Sequence, residues 1–154
     1  MIMIIAEKNE KRSNRGSLSV ELSCGSLLVS VFVVVALHLG VPIFGAFIND
    51  RACRDACRNA AQGETPAEAG QLVNVMLSAY QATGFVSNPT LSAPIVYQDF
   101  GGSPPAQTSP YVQVTTSTLV TMPLQAFAFF SSGILQDGKL AFTKTYTFPI
   151  VRVK

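Results

Sequence analysis

Lys11-Arg12-Ser13-Asn14-Arg15-Gly16-Ser17-Leu18-Ser19-Val20-Glu21 opens onto residues 22–48, a run without one Asp, Glu, Lys or Arg. As a helix, that run measures roughly 40 Å at 1.5 Å per residue, enough to cross a hydrocarbon core of about 30 Å. A cleaved secretory signal is the competing reading. Its apolar region needs only about 7–15 residues and ends in a small-x-small exit, for which Gly45-Ala46 is a poor match. Glu21 stands at the mouth of the run. A carboxylate at the centre of an inserted helix costs roughly 2.5–3.5 kcal/mol on insertion scales, and less near the interface. Glu21 either lies at headgroup level as a plain flanking charge or needs a partner. Pro42 lies inside the run and is expected to kink the helix, because it has no N–H and crowds the preceding turn.

With 154 residues, the chain has room for one domain once such a helix is set aside. Charged residues make up 13% of it, well below the usual share for soluble domains, as a membrane anchor and a Ser/Thr-rich exterior would produce. The formal charge of +2, with no basic patch interleaved by aromatics, argues against nucleic acid as a partner. Contact with membrane lipid is expected instead. Lys8, Lys11, Arg12 and Arg15 precede the run, and Arg51, Arg54 and Arg58 follow it. This weak positive-inside bias, together with the short leader, favours a cytoplasmic amino terminus and an exterior domain.

Past the run, residues 49–62 continue as a helix that stops at Gly63, read as its terminating residue. Arg51, Arg54 and Arg58 share one face at i, i+3, i+7, opposite a small-residue face of Ala52, Cys53, Ala56, Cys57, Ala60 and Ala61. That small face suits either close packing between helices or the core side of a surface helix. Cys53 and Cys57 at i, i+4 have Cβ atoms about 6 Å apart, beyond disulfide reach. Unpaired packing, bonding between subunits and half of a metal site remain as readings. No second pair of ligands is evident, so no metal is assigned, and Cys24 is read as a packing residue in the membrane.

The remainder reads as α+β. Thr65-Pro66-Ala67-Glu68 is a capping box with proline at the first helical position. The helix it opens carries a stripe of Ala69, Leu72, Val73, Met76 and Tyr80 and is expected to end at Gly84. Residues 91–98 read as a strand, and residues 101–110 as a loop. Residues 111–122 form a second strand with Val112, Val114, Val120 and Met122 in one register. Residues 140–153 form a third, with Leu140, Phe142, Tyr146 and Phe148 on one side, preceded by an Asp137-Gly138 turn and interrupted or edged at Pro149. Residues 124–135, which include Phe127, Phe129 and Phe130, fit a short helix or a packed loop. The expected fold is a long amino-terminal membrane helix continuing outside, then one helix and about three antiparallel strands.

No catalytic residue can be nominated. His38 is the only histidine and lies in the apolar run, so no exterior Ser-His or Cys-His pair can be built. Asp50, Asp55, Glu64, Glu68, Asp99 and Asp137 show no motif spacing and read as caps, turns and solvated charges. Gly101-Gly102 lacks the lysine and helix of a phosphate loop. No enzyme activity and no cofactor are expected.

A basic leader, a glycine and a glutamate at the fifth position of the following helix resemble the start of type IV-pilin-like proteins. The order Arg15-Gly16…Val20-Glu21, an uninterrupted apolar helix, Pro42-Ile43-Phe44-Gly45 and the alternating Ala/Arg segment 52–61 narrow this to the TadE-like pseudopilins of tight-adherence pili. The similarity covers residues 15–62. Ser17 and Leu18 stand where bulkier residues are common, Leu22 where related small pilins favour an aromatic, and Cys53 and Cys57 where alanine-like residues are usual. The resemblance implies a pilin-like fold with a leader (residues 1–16), a membrane and juxtamembrane helix (17–62) and an extracytoplasmic domain (63–154). It also implies cleavage between Gly16 and Ser17 by a prepilin-type peptidase and pairing of Glu21 with a neighbour's freed amino terminus. Other pilin-like subunits would be the partners, and the bacterial inner membrane or a surface filament the location. The alternative is a permanently anchored single-pass envelope protein whose exterior domain binds a ligand.

Overall fold

The computed structural model describes residues 2–122, 135–136 and 139–150, with side chains described over 17–122 and 139–150. By its contacts the chain divides into two units, Met1–Leu37 and His38–Lys154.

The first unit belongs to helix α1, which spans Ile2–Ala60. Residues 17–33 are exposed throughout, among them Leu22 (73%), Leu27, Val29 and Phe32. This surface is apolar, and Ser17–Ala60 is the one stretch among the described residues long and apolar enough to cross a membrane. Three of its serines fit such a medium because their hydroxyls are satisfied locally. Ser23 Oγ donates to Ser19 O (2.8 Å), Ser26 Oγ to Ser23 O (3.0 Å) and Ser30 Oγ to Ser26 O (2.9 Å). Back-bonding of this kind removes a polar group that lipid could not solvate.

The second unit begins inside α1. The helix is assigned without interruption through Pro42, whose ring is buried. The apolar run is therefore divided: its last part, from His38, is built into the second unit. After Ala60 a tight turn follows, with Gly63 N donating to Ala60 O (3.1 Å). Gly63 is not needed there for a left-handed cap, since positive φ among described glycines occurs at Gly101 and Gly102. It is needed for space, because a Cβ would sit 2.8 Å from the backbone nitrogen of Ala69.

Helix α2 (Pro66–Ser78) starts on the expected cap, with Thr65 Oγ1 accepting from Glu68 N at 3.2 Å. The reciprocal bond goes one residue further back than a capping box requires, from Glu64 N to Glu68 Oε2 (2.9 Å). The helix ends at Ser78, earlier than Gly84, as the N–H groups of Ala79 and Tyr80 turn to Met76 O and Leu77 O. Its core stripe is Ala69, Val73 and Leu77, with Leu72, Met76 and Tyr80 half-buried beside it.

Among the described residues, five strands, all paired antiparallel, make one sheet: β1 (Thr90–Leu91), β2 (Val96–Gln98), β3 (Tyr111–Thr121), β4 (Leu135–Gln136) and β5 (Lys139–Pro149). The long strands β3 and β5 pair along their full length, from Tyr111↔Pro149 to Thr121↔Lys139. β1 and β2 share the other edge of β3, so the strand expected over 91–98 is two short pieces. Pro94, which has no N–H to give to the ladder, lies in the gap. β5 ends at Pro149, where an edge or interruption was expected, and residues 151–153 of the expected strand lie outside the described residues. The aromatic cluster of residues 127–130 and the Asp137-Gly138 turn lie outside the described residues.

The core has two centres. Ala52, Ala56, Cys57 and Ala60 of α1 meet Ala69, Val73 and Leu77 of α2, Val112 and Val114 of β3 and Ile150. Toward the start of the unit, Val86, Val120, Met122 and Leu140 pack with Val41 and Phe142. Alternating burial along β3 matches the register read from its valines. Full burial of each such side chain contributes roughly 1.5–3 kcal/mol.

Candidate functional site

The predicted site residues fall into two places. Gly16, Ser17 and Glu21 lie within α1, in the first unit. Glu21 is exposed on the bare apolar surface and shares a helix face with Leu18, Leu22 and Gly25. Among the described residues it has no hydrogen-bond or ion-pair partner. What this arrangement can do chemically is limited and specific: it offers one carboxylate, in an apolar setting, to a cation from elsewhere.

Cys53 and Cys57 lie in the second unit, with no exposed surface at all. Both face the sheet. Cys53 Sγ lies 3.2 Å from Lys144 O and 3.4 Å from Val114 O; Cys57 Sγ lies 3.2 Å from Tyr146 O and 3.5 Å from Val112 O. Each S–H donates to one carbonyl of its pair at a time. A bond between subunits through either sulfur would require the sheet to lift off α1. The small-residue face that suited helix–helix contact is the side on which the chain's own β3 and β5 sit. Cys24, by contrast, is exposed on the bare helix.

One turn before Cys53, Asn49 completes the row. Its Nδ2 donates to Phe142 O (2.8 Å) and Thr116 O (3.4 Å), and its Oδ1 accepts from Thr116 Oγ1 (2.9 Å) and Thr118 Oγ1 (3.2 Å). Two donors and two acceptors are thus all used in a residue 1% exposed. Asn49, Cys53 and Cys57 therefore meet the carbonyls of residues 116, 114 and 112 on β3 and 142, 144 and 146 on β5. The small alanines between them let the helix come close enough for the thiols to reach.

Beside this row, tyrosines tie α1 to its neighbours. Tyr146 Oη donates to Asp50 Oδ1 (2.9 Å), which also meets Lys144 Nζ at 3.2 Å, while Arg54 Nη2 reaches Asp50 Oδ2 at 2.9 Å. Arg54 and Lys144 both lie over the Tyr146 ring, 5.4 and 5.6 Å from its centroid. The Tyr146 hydrogen bond, reinforced by Lys144 and Arg54, holds the Asp50 carboxyl below its usual range. Burial and the hydrogen bond to Asp55 (2.8 Å) push the Tyr80 phenol up. Tyr97 Oη donates to Gly63 O at 2.8 Å, tying β2 to the turn after α1. Asp50 and Asp55, read from sequence as solvated charges, are instead acceptors for buried-edge tyrosines. Asn49 escaped notice because a single Asn after an apolar run reads as the run's polar boundary.

Burial raises the Cys57 thiol from 9.0 to about 11. At pH 8 this leaves about 100-fold less thiolate than an unperturbed group would have. In the folded protein, alkylation of Cys53 and Cys57 at pH 8 is expected to be undetectable on a time scale that labels both fully in denaturant. Mass spectrometry of the iodoacetamide adducts checks this.

Among the described residues no group of three His, Cys, Asp or Glu side chains could hold a metal ion. His38 is 1% exposed, within the second unit. No protein-family model, curated protein or solved structure matches the chain.

Proposed function

We propose that the chain is a membrane-held, TadE-like minor pilin that takes part in assembling a tight-adherence pilus or a related secretion filament. The observation that carries this reading is Glu21 exposed on a stretch of helix, Ser17 to Val33, that is exposed throughout and carries no other charge. A charge in such a medium is tolerable only when paired, and a cation from outside the chain is what a filament supplies. In this reading a prepilin-type peptidase cuts between Gly16 and Ser17. The new amino terminus of one subunit then neutralises Glu21 of another, and the exposed residues of α1 pack laterally against the helices of pilin-like neighbours. The protein sits in a bacterial inner membrane with its amino terminus in the cytoplasm and its sheet domain outside. Nothing in the mechanism requires a cofactor.

Intact mass and terminal sequencing of the protein from native membranes are expected to give a mature chain starting at Ser17. A chain that retains residues 1–16 would overturn processing and favour a permanently anchored envelope protein. Given processing, Glu21→Ala is expected to abolish filament incorporation while the subunit still accumulates in the membrane. Breaking one buried charge pair costs about 3–5 kcal/mol per contact.

A further inference from the structure

The end of the sheet unit at which α1 enters it carries apolar surface that neither core uses. On the helix, Leu39, Ile43, Phe44 and Phe47 are exposed, whereas Val41, Gly45 and Asn49 are turned to the sheet. At the same end of the sheet, Phe85 and Leu119 are 47% and 38% exposed. Their position follows from the pairing: Thr121 N donates to Phe85 O at 2.7 Å, and Leu119 precedes Val120, whose side chain meets Gly45. Elsewhere in the unit, the exposed large hydrophobics among the described residues are Val75 and Val96. The apolar exposure is concentrated at one end.

We propose that this end is a lipid-docking face, seated at headgroup depth in the outer leaflet of the bilayer that α1 crosses. Helix length argues for it. With Glu21 at the inner boundary, a hydrocarbon core of about 30 Å is filled by some 20 residues, to about residue 41. The headgroup layer adds a further 5–7 Å or so on each side, which carries α1 past Phe44 toward Phe47. The first ionised groups, Asp50 and Arg51, come only after that. Charge argues the same way. Phe85, Val86, Leu119, Thr121 and Met122 bring no charge to this end, and Lys139, exposed and paired in register with Thr121, places an ammonium there. Aromatic side chains with a flanking lysine suit the interface, where rings sit among headgroups and a cation meets lipid phosphate.

The inference rests on the reading of α1 as a membrane span and not on filament assembly. The protein has no tryptophan, so single substitutions report their own depth. Phe32→Trp, Phe85→Trp, Leu119→Trp and Val75→Trp variants of the full chain would be reconstituted in phosphatidylethanolamine–phosphatidylglycerol vesicles. Their emission would be measured with nitroxide-labelled lipids, shallow or deep, and with aqueous iodide. Phe85→Trp and Leu119→Trp are expected to lose most of their emission to the shallow nitroxide, Phe32→Trp to the deep one and Val75→Trp to iodide alone. If the 85 and 119 variants follow Val75→Trp while Phe32→Trp is quenched by lipid, the docking face is refuted and the span stands. If Phe32→Trp escapes lipid quenching, the span itself fails, and the docking face with it. Protection of the 85 and 119 variants from both lipid nitroxides and iodide, rising with protein-to-lipid ratio, would assign the face to a second copy of the chain and overturn the proposal.

Discussion

Asn49→Leu should destabilise the sheet unit by about 3–5 kcal/mol, the largest loss expected from any single polar substitution described. The leucine leaves the Thr116 and Thr118 hydroxyls without their buried acceptor and Phe142 O without its 2.8 Å donor. Each buried polar group stranded in this way costs about 1–3 kcal/mol. Against a total stability of about 5–15 kcal/mol, much of the population would unfold. Chemical denaturation in detergent, followed by circular dichroism, measures the loss. The explanation is specific to the network, so it has an internal control. Adding Thr116→Val and Thr118→Val to Asn49→Leu removes both sides of the mismatch and should restore much of the stability, because replacing both partners with apolar groups is nearly neutral. Failure of that rescue would mean that shape, and not hydrogen bonding, dominates the site. Asn49→Asp gives the pH counterpart. A carboxylate there would face the carbonyl of Phe142, so the folded state favours the protonated acid and raises its pKa above the unfolded value. Stability is then greatest below the ordinary carboxylate range and falls as pH rises from there to the raised folded-state pKa.

Gly45→Val is the second large effect, and it acts by volume. Any Cβ at position 45 overlaps Val120 Cγ2 and lies 3.5–3.6 Å from Val120 Cβ and Val86 Cγ2. Val120 is wholly buried in the smaller core and hydrogen-bonded through β3, so neither side can yield cheaply. Overpacking of this kind costs about 1–3 kcal/mol, and a branched side chain on the helix belongs at the top of that range. Gly45→Ala separates two opposing contributions. Alanine gains about 1 kcal/mol of helix propensity over glycine but still meets Val120. Val120→Ala clears the methyl, so the Gly45→Ala, Val120→Ala double variant should be more stable than the sum of its parts predicts. A coupling of about 1–3 kcal/mol is within the range seen for residues in contact. Additive effects in the same denaturation assay would show that the two positions do not touch.

Periodicity carried most of the fold into view. The valines of β3 announce their buried face at every second residue, and Thr65-Pro66 marks the start of α2 without help from packing. The long apolar helix was equally plain. What stayed hidden depends on which neighbour arrives. Nothing in the run 22–48 says that its last part, from His38, would be claimed by a sheet formed seventy or so residues later in the chain. Gly45 looked like one more small residue of a membrane helix, and its closeness to Val120 is a tertiary fact. The end of α2 at Ser78 was missed because Gly84 is the stronger local stop signal, while the actual stop comes from two carbonyls accepting tighter bonds. Of the candidate site, the proposed roles of Gly16 in processing and of Glu21 in pairing rest on the resemblance to pilin-like starts. The two cysteines were picked out correctly as one helical face, but their real partners are backbone carbonyls, which leave no trace in side-chain identity.

The row formed by Asn49, Cys53 and Cys57 against β3 and β5 behaves as a vernier. Four residues of helix advance about 6.0 Å, and two residues of strand about 6.6–6.8 Å. Each step therefore falls short by roughly 0.7 Å, and by the third the scales have slipped by about 1.4 Å. Two scales of unequal pitch coincide over a short interval and nowhere else. A longer helix or longer strands would not extend the match. The coincidence also admits one alignment only: moving the helix by a single residue turns every polar tooth by about 100° away from its carbonyl. Three small polar side chains thus set where helix α1 stops sliding along the sheet, a task that the featureless alanines between them could not perform.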